Sequence, residues 1–121
     1  GRRIPGWRDV SFTPLFSGDL ARILSRMMKL DLAGVFHVGS SDQCSKYAFG
    51  TLLAETWGLD PERVVSTESG GLIANRPRDT SLSSLKLTNT LGEPTPSIRE
   101  GLQSMKTWET EHLTRLRRLA T

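Results

Sequence analysis

Two arginines flank a proline in "RPRDTSLSSLKL", residues 76–87, just ahead of a spacing of apolar residues that marks a helix. Guanidinium forks pair bidentately with phosphate or carboxylate oxygens, and Pro77 stiffens the backbone between Arg76 and Arg78. The segment therefore reads either as a preset anion clamp or as a loop of solvated charges. Other reactive side chains are scattered. Cys44 is the single cysteine, which excludes an internal disulfide, and His37 and His112 stand too far from it to give metal-ligand spacing. Cys44 has no activating neighbour and reads as an ordinary thiol, while His37, set inside an apolar run, reads as structural rather than as a general base.

The elements that must carry these residues follow from pattern. "SGDLARILSRMMKL" sets Leu20, Ile23, Leu24, Met27 and Met28 on one helical face, which predicts a helix from Ser17 to about Leu30 with Ser17 as N-cap and Asp19 in its first turn. Val35, Phe36 and Val38, bounded by Gly34 and Gly39, predict a strand that is apolar on both faces, as in the middle of a parallel sheet. "SKYAFGTLLAETWG" predicts the next helix, ending at Gly58, and after the turn at Pro61 a second strand covers Val64–Thr67. Strand, helix and strand at this length form a βαβ unit. A glycine-containing loop (69–80), a helix near Ser83–Leu91 closed by Gly92, and a last helix with Thr95 as N-cap and Pro96 at its first position complete the chain. Gly101 weakens that last helix, so a break or fraying is expected beyond Lys106.

At 121 residues this is one domain's worth of chain, and 36% hydrophobic with 24% charged residues describes a soluble globular protein rather than a disordered one. The net charge of +3 is dispersed among acids, densest at Arg2, Arg3 and Arg8 and again at Arg115, Arg117 and Arg118. Aromatic residues interleaved with these basic groups are missing apart from Trp7, so a nucleic-acid partner is not expected. Neither a signal-peptide core nor an apolar span suggests a membrane partner, and a lone cysteine suits a reducing, cytoplasmic setting. The chain opens at Gly1 without a methionine, as a processed product or a part of something longer would. The sheet points the same way: a two-faced buried strand needs neighbours on its edges, and this chain offers one or two short ones. Either it forms a homo-oligomer or it continues into a larger α/β body.

Taken in order, "DVSFTPLFSGDLARIL", "GVFHVGSSDQCSKYAFGTLLAETWG" and "NRPRDTSLSSLKLTNTLGEPTPSIREGL" resemble the C-terminal substrate-binding part of the extended short-chain dehydrogenase/reductases, in particular the dTDP-4-dehydrorhamnose reductases. The family's Asp, Thr-Pro and Asp-Leu-Ala pattern is met by Asp9, Thr13, Pro14, Asp19, Leu20 and Ala21, and its Gly-x-x-His-x-Gly strand by Gly34, His37 and Gly39. Arg76, Pro77, Thr80, Leu82, Lys86 and Leu87 meet its Arg-Pro segment. The resemblance covers about Arg2 to Met105 and implies the C-terminal portion of a Rossmann-type α/β fold, with a partial parallel sheet and helices, incomplete as a stand-alone domain. In that family a dinucleotide-binding domain carries a smaller lobe that closes over a nucleotide-sugar.

The resemblance implies that Arg76 contacts the sugar-nucleotide diphosphate with Arg78 beside it, that Trp7 and Phe12 pack against the base or the sugar ring, and that Thr13 lines the same site. It also implies NAD(P) as cofactor of the complete parent. This chain has no Gly-x-x-Gly-x-x-Gly turn after a strand, and Tyr47, four residues ahead of Thr51 rather than of a lysine, is not the family's catalytic tyrosine. The chain alone is therefore expected to bind no cofactor and to transfer no hydride, the N-terminal half supplying both. "PTPSIREGL" also departs from the tryptophan-containing ending of rhamnose-pathway reductases. Two functions remain open: the substrate-binding part of an NAD(P)-dependent nucleotide-sugar reductase, and a non-catalytic reductase-like module that regulates a partner.

Overall fold

The computed structural model describes residues 1–70 and 75–120. Along the chain run β1 (Ile4–Trp7), β2 (Ser11–Phe12), α1 (Ser17–Lys29), β3 (Cys44–Ser45), α2 (Lys46–Thr56), a 3-10 turn at Pro61–Arg63, β4 (Val64–Thr67), α3 (Leu85–Leu91) and α4 (Ile98–Ala120). The fold is α/β with a small parallel sheet and helices around it. β1 and β4 pair in parallel with Ile4 opposite Val64 and Trp7 opposite Thr67. β2 and β3 form a separate antiparallel pair, Ser11 opposite Ser45 and Phe12 opposite Cys44.

Two strand expectations are corrected. Val64–Thr67 is a strand, but its partner is Ile4–Trp7 rather than Val35–Val38, so the βαβ unit read from the sequence does not form. Residues 35–38 belong to no strand, and Val35 is 73% exposed. β1 was hidden in the sequence because Pro5 and Gly6 are poor strand residues. The structure uses Gly6 for close approach: a Cβ there would lie 2.9 Å from the Tyr47 Cα and from Val64 Cγ1, so α2 sits directly against the parallel pair.

Helices form where their apolar spacing predicts, with different caps. The residue before α1 is Phe16, which offers no side-chain cap, and Ser17 is already helical. α2 is capped by Ser45, whose Oγ accepts the Ala48 N–H, and its end passes through Gly58 at φ +67°. α3 starts at Leu85 rather than Ser83 and closes on left-handed Gly92. α4 starts at Ile98. Thr95 is buried with its hydroxyl unpartnered and so is not the cap; Asp42 Oδ1 accepts the Ile98 N–H and Ser97 Oγ accepts the Glu100 N–H instead.

No break occurs in α4 at Gly101 or Lys106. Gly101 is buried beside Phe16 and Asp19, Lys106 Nζ donates to the Thr56 carbonyl at the end of α2, and Trp57 Nε1 donates to Glu109. These tertiary contacts outweigh the weak propensity of one glycine. The core is small: Ile23, Ala54, Val64, Leu87, Ile98 and Leu102 are its buried apolar side chains among the described residues, with Leu87 fully enclosed. Part of the predicted loop 69–80 falls on 71–74, outside the described residues.

Two glycines should respond oppositely to alanine. At Gly101 the added Cβ would make ordinary contacts at 3.8–3.9 Å, so Gly101→Ala should stabilise by up to about 1 kcal/mol and raise the unfolding midpoint by a few degrees. Gly6→Ala meets backbone at 2.9 Å and should destabilise by about 1–3 kcal/mol. Thermal unfolding followed by circular dichroism separates the two, and equal effects would refute the packing described for β1.

Candidate anion-binding site

β2 is two residues long and is used on both edges. On one side it pairs with β3, and the Lys46 N–H donates to the Val10 carbonyl. On the other, the Ser11 N–H donates to the Arg78 carbonyl at 2.7 Å, the Thr80 N–H returns a bond to the Ser11 carbonyl at 3.1 Å, and Ser11 and Asp79 form a parallel bridge. The short strand thus holds the arginine segment by its backbone and leaves its side chains to solvent. Asp79 tightens the turn that follows, accepting the Ser81 N–H on Oδ1.

Around this segment the charges are unequally committed. Asp9 accepts both the N–H and the hydroxyl of Ser69, at 2.9 and 2.7 Å, and lies 3.9 Å from Arg78 Nε. Its carboxyl is held below the usual carboxylate range, first by the Ser69 hydroxyl, against partial burial, then by backbone N–H groups, with the Arg78 charge contributing least. Arg78 keeps 74% of its side chain exposed, and Arg8 is joined to Glu68 at 2.7 Å on the surface. Arg76 is exposed and, among the described residues, has no ion-pair or hydrogen-bond partner.

The remaining expected site residues are more engaged. Thr13 Oγ1 accepts the Leu82 N–H at 3.2 Å, its carbonyl accepts the Ser40 N–H, and Gly39 packs so close that a Cβ would come within 2.6 Å of the Thr13 hydroxyl. Thr13 is a junction between β2, the 39–40 turn and the approach to α3. Phe12 is half-buried, edge-on to Phe49 at 5.3 Å, with Lys46 Nζ 3.5 Å over its ring. Trp7 is half-buried on the other sheet, in β1 opposite Thr67. β2 therefore brings Phe12, Thr13 and the Arg76–Arg78 segment into one neighbourhood, and Trp7 joins it only through the chain between the two strands. Lys46 was not foreseen in this role, because nothing in the sequence announced the two-residue β2–β3 pairing that sets it beside Phe12.

Of the other reactive groups, Cys44 stands opposite Phe12 in the β2–β3 pair. His37 is exposed rather than held inside an apolar strand. The Cys44 thiol is pushed up by burial and by the Asp42 charge, with Lys46 opposing, which lowers its thiolate fraction. Among the described residues no group of three or more His, Cys, Asp or Glu side chains is placed to hold a metal, and no helix is long and apolar enough to cross a membrane.

A small parallel sheet with packed helices and a backbone-held arginine segment make an α/β domain with one candidate anion-binding segment. Residues 8–110 match the family described as the RmlD substrate binding domain, and the chain belongs to that family. It is similar to a probable low-salt glycan biosynthesis reductase of Haloferax volcanii, 26% identical over 108 residues that cover 88% of this chain and 36% of the relative. Among solved structures it resembles the dTDP-4-dehydrorhamnose reductase of Bacillus anthracis in complex with NADP, with a TM-score of 0.74 at 21% identity, covering 86% of this chain and 37% of that one. The dTDP-4-dehydrorhamnose reductase of Clostridium acetobutylicum gives a TM-score of 0.71 at 25% identity, covering 84% and 37%. The chain spans little more than a third of the length of each of these relatives.

The Ser69–Asp9 contact makes a sharp pH prediction. Asp9 should titrate below the ordinary range of an aspartate in carboxyl-resolved NMR, and Ser69→Ala should move it up further than Arg78→Ala does. Since the folded value lies below the unfolded one, the stabilisation from this carboxylate is complete above the unfolded value and is lost as pH falls through the folded one. A larger shift on removing Arg78 would show that charge, rather than hydrogen bonding, governs the site.

Proposed function

We propose that this chain is the substrate-binding part of an NAD(P)-dependent nucleotide-sugar reductase, and that Arg76 holds the diphosphate of the sugar nucleotide. The observation that carries the reading is the contrast between the arginines. Arg8 is engaged by Glu68 and Arg78 lies near Asp9, whereas Arg76 has no partner among the described residues and stands two residues ahead of the Arg78 carbonyl that accepts the Ser11 N–H. A guanidinium that need not abandon a carboxylate to take up phosphate oxygens gives up no ion pair on binding, and a bidentate fork suits a diphosphate that is charged at every physiological pH. Arg78 assists as a second positive charge, since its 3.9 Å approach to Asp9 is a weak, exposed pairing. Thr13 fixes the approach to α3, and Phe12 with Lys46 above it offers an apolar wall with a cationic edge to the sugar or base. Trp7, on the other sheet in β1, is the remaining candidate to stack on the base.

Among the described residues, no strand-to-helix turn is rich enough in glycine to suit NAD(P). α1, α2 and α4 begin after Phe16, Ser45 and Ser97, none of which closes a glycine-rich turn that would cradle a dinucleotide diphosphate. The B. anthracis relative is in complex with NADP, and its length beyond the shared region leaves room for that role elsewhere. We assign cofactor binding and proton transfer to the dinucleotide-binding half of the natural polypeptide, and sugar-nucleotide orientation to this one.

Isothermal titration of the natural polypeptide with dTDP- and UDP-sugars tests the reading. Arg76→Ala should weaken binding about 10-fold or more, the cost of one charge-assisted hydrogen-bond pair, with Arg78→Ala weaker in effect. Unchanged affinity in the Arg76 variant would overturn the assignment.

A further inference from the structure

A cavity opens where β1 and β4 begin, at Ile4 and Val64, whereas Asp9, Ser69 and Arg78 gather beyond the other ends of the two parallel strands. Its volume is about 580 Å³, within the roughly 300–1,000 Å³ usual for small-molecule sites. The walls are apolar: Leu53 and Ala54 from α2, Ile4 and Val64 from the strands, and Leu59 from the turn after α2. Small residues leave this space unfilled. α2 presents Gly50 and Ala54 to it, one turn apart, and a Cβ placed on Gly58 would have nothing within 4 Å. Ile4 and Leu59 consequently stay 51% and 65% exposed. Three charged residues also line the cavity, Arg2, Asp60 and Arg63. Asp60 is already engaged: Oδ1 accepts the Glu62 N–H at 3.0 Å, and Oδ2 stands 3.6 Å from Arg63 Nε in a loose, exposed pair. Arg2 is exposed, with no ion-pair or hydrogen-bond partner among the described residues. The Arg63 guanidinium lies against Gly1, the neighbour of Arg2, so both cations belong to one side of the cavity.

We propose that this cavity is a second binding site, and that it takes a small amphiphile: an aliphatic carboxylate whose chain lies among Leu53, Ala54, Leu59 and Val64 and whose head meets Arg2 and Arg63. Three features select that class. Apolar walls reward the removal of hydrocarbon from water and offer a polar ligand body nothing to bond. Two guanidiniums against one engaged carboxylate leave an excess positive charge, which favours an anion over a neutral or cationic head, and the unpartnered fork of Arg2 suits two carboxylate oxygens. One turn of an α-helix, about 10–12 Å wide and 5.4 Å long, already takes up roughly the available volume, so a small molecule suits the cavity better than an element of a partner protein. The site shares no residue with the Arg76–Arg78 segment and does not rest on the reading of that segment as a diphosphate clamp.

Decanoate titrated into the natural polypeptide, followed by amide NMR shifts, tests the proposal. The shifts should saturate at Leu53, Ala54, Leu59 and Val64 and be absent at residues 78–80. Decanol, with the same chain and no charge, should bind about 10-fold or more weakly, and Arg2→Glu should weaken decanoate by about as much. Because Arg2 is exposed and remote from the arginine segment, the same variant should keep its unfolding midpoint and its sugar-nucleotide affinity. The absence of a saturable shift would overturn the proposal, since the cavity would then be closed or filled by another part of the polypeptide. Shifts centred on residues 78–80, shifts that begin only when decanoate forms micelles, or equal binding of decanol would each overturn it as well.

Discussion

The double use of Ser11 is the constraint on which the site depends. Its residue pairs with Ser45 on one side and exchanges bonds with Arg78 and Thr80 on the other, so a two-residue strand acts as the middle member of a three-segment arrangement. Without the outer pairing the Arg76–Thr80 stretch would have no backbone reason to lie beside β2, and its charges would be free to sample solvent. The bonds to Ser11 leave the guanidiniums exposed and fix the backbone at Arg78 and Thr80. That is the arrangement that lowers the ordering cost of capturing an anion.

A second constraint is the requirement that backbone polar groups find partners. The chain satisfies it locally by small devices: Ser45 caps α2, Asp42 reaches across to the first N–H of α4, and Lys106 covers a carbonyl at the end of α2. The Ser45 cap acts over three residues, whereas the Asp42 and Lys106 bonds tie together segments fifty-six and fifty residues apart. The same requirement is unmet at residues 35–38, where the devices stop at one lysine. Exposed apolar side chains stand near that gap in sequence, including Met28 and Leu30 at the end of α1 and just beyond it.

Legibility in the sequence followed the range of the interactions. The four helices were readable because a period near 3.6 in Leu20, Ile23, Leu24 and Met27, or in Ile98, Leu102 and Met105, is a local signal. Gly92 as a helix stop was equally local. Caps supplied from afar were not: Thr95 looked like the start of α4, but the N–H of Ile98 is met by Asp42, fifty-six residues earlier. Strand identity failed for the same reason. Val35–Val38 has the composition of a buried strand and lacks a partner here, whereas Ile4–Trp7 has a poor composition and gains its status from pairing with Val64–Thr67. In the candidate site the type of chemistry was legible from the Arg-Pro-Arg spacing. The ranking of the two guanidiniums was supported only by resemblance, because the proximity of Asp9 to Arg78 depends on a fold that no local pattern encodes.

That proximity bears on how the two arginines would share one anion. Asp9 is already satisfied by Ser69, so its negative charge is held in place by hydrogen bonds that do not depend on Arg78. An incoming diphosphate would meet repulsion from this carboxylate near residue 78, where its effect falls on Arg78 first. Arg76, two residues along and across Pro77, has no such anion paired with it among the described residues. Asp9 would then act less as a partner of Arg78 than as a boundary, disfavouring placements of the anion that slide toward β2 and favouring those centred on Arg76. A carboxylate held in place by a serine would in this way bias the position of a phosphate it never touches.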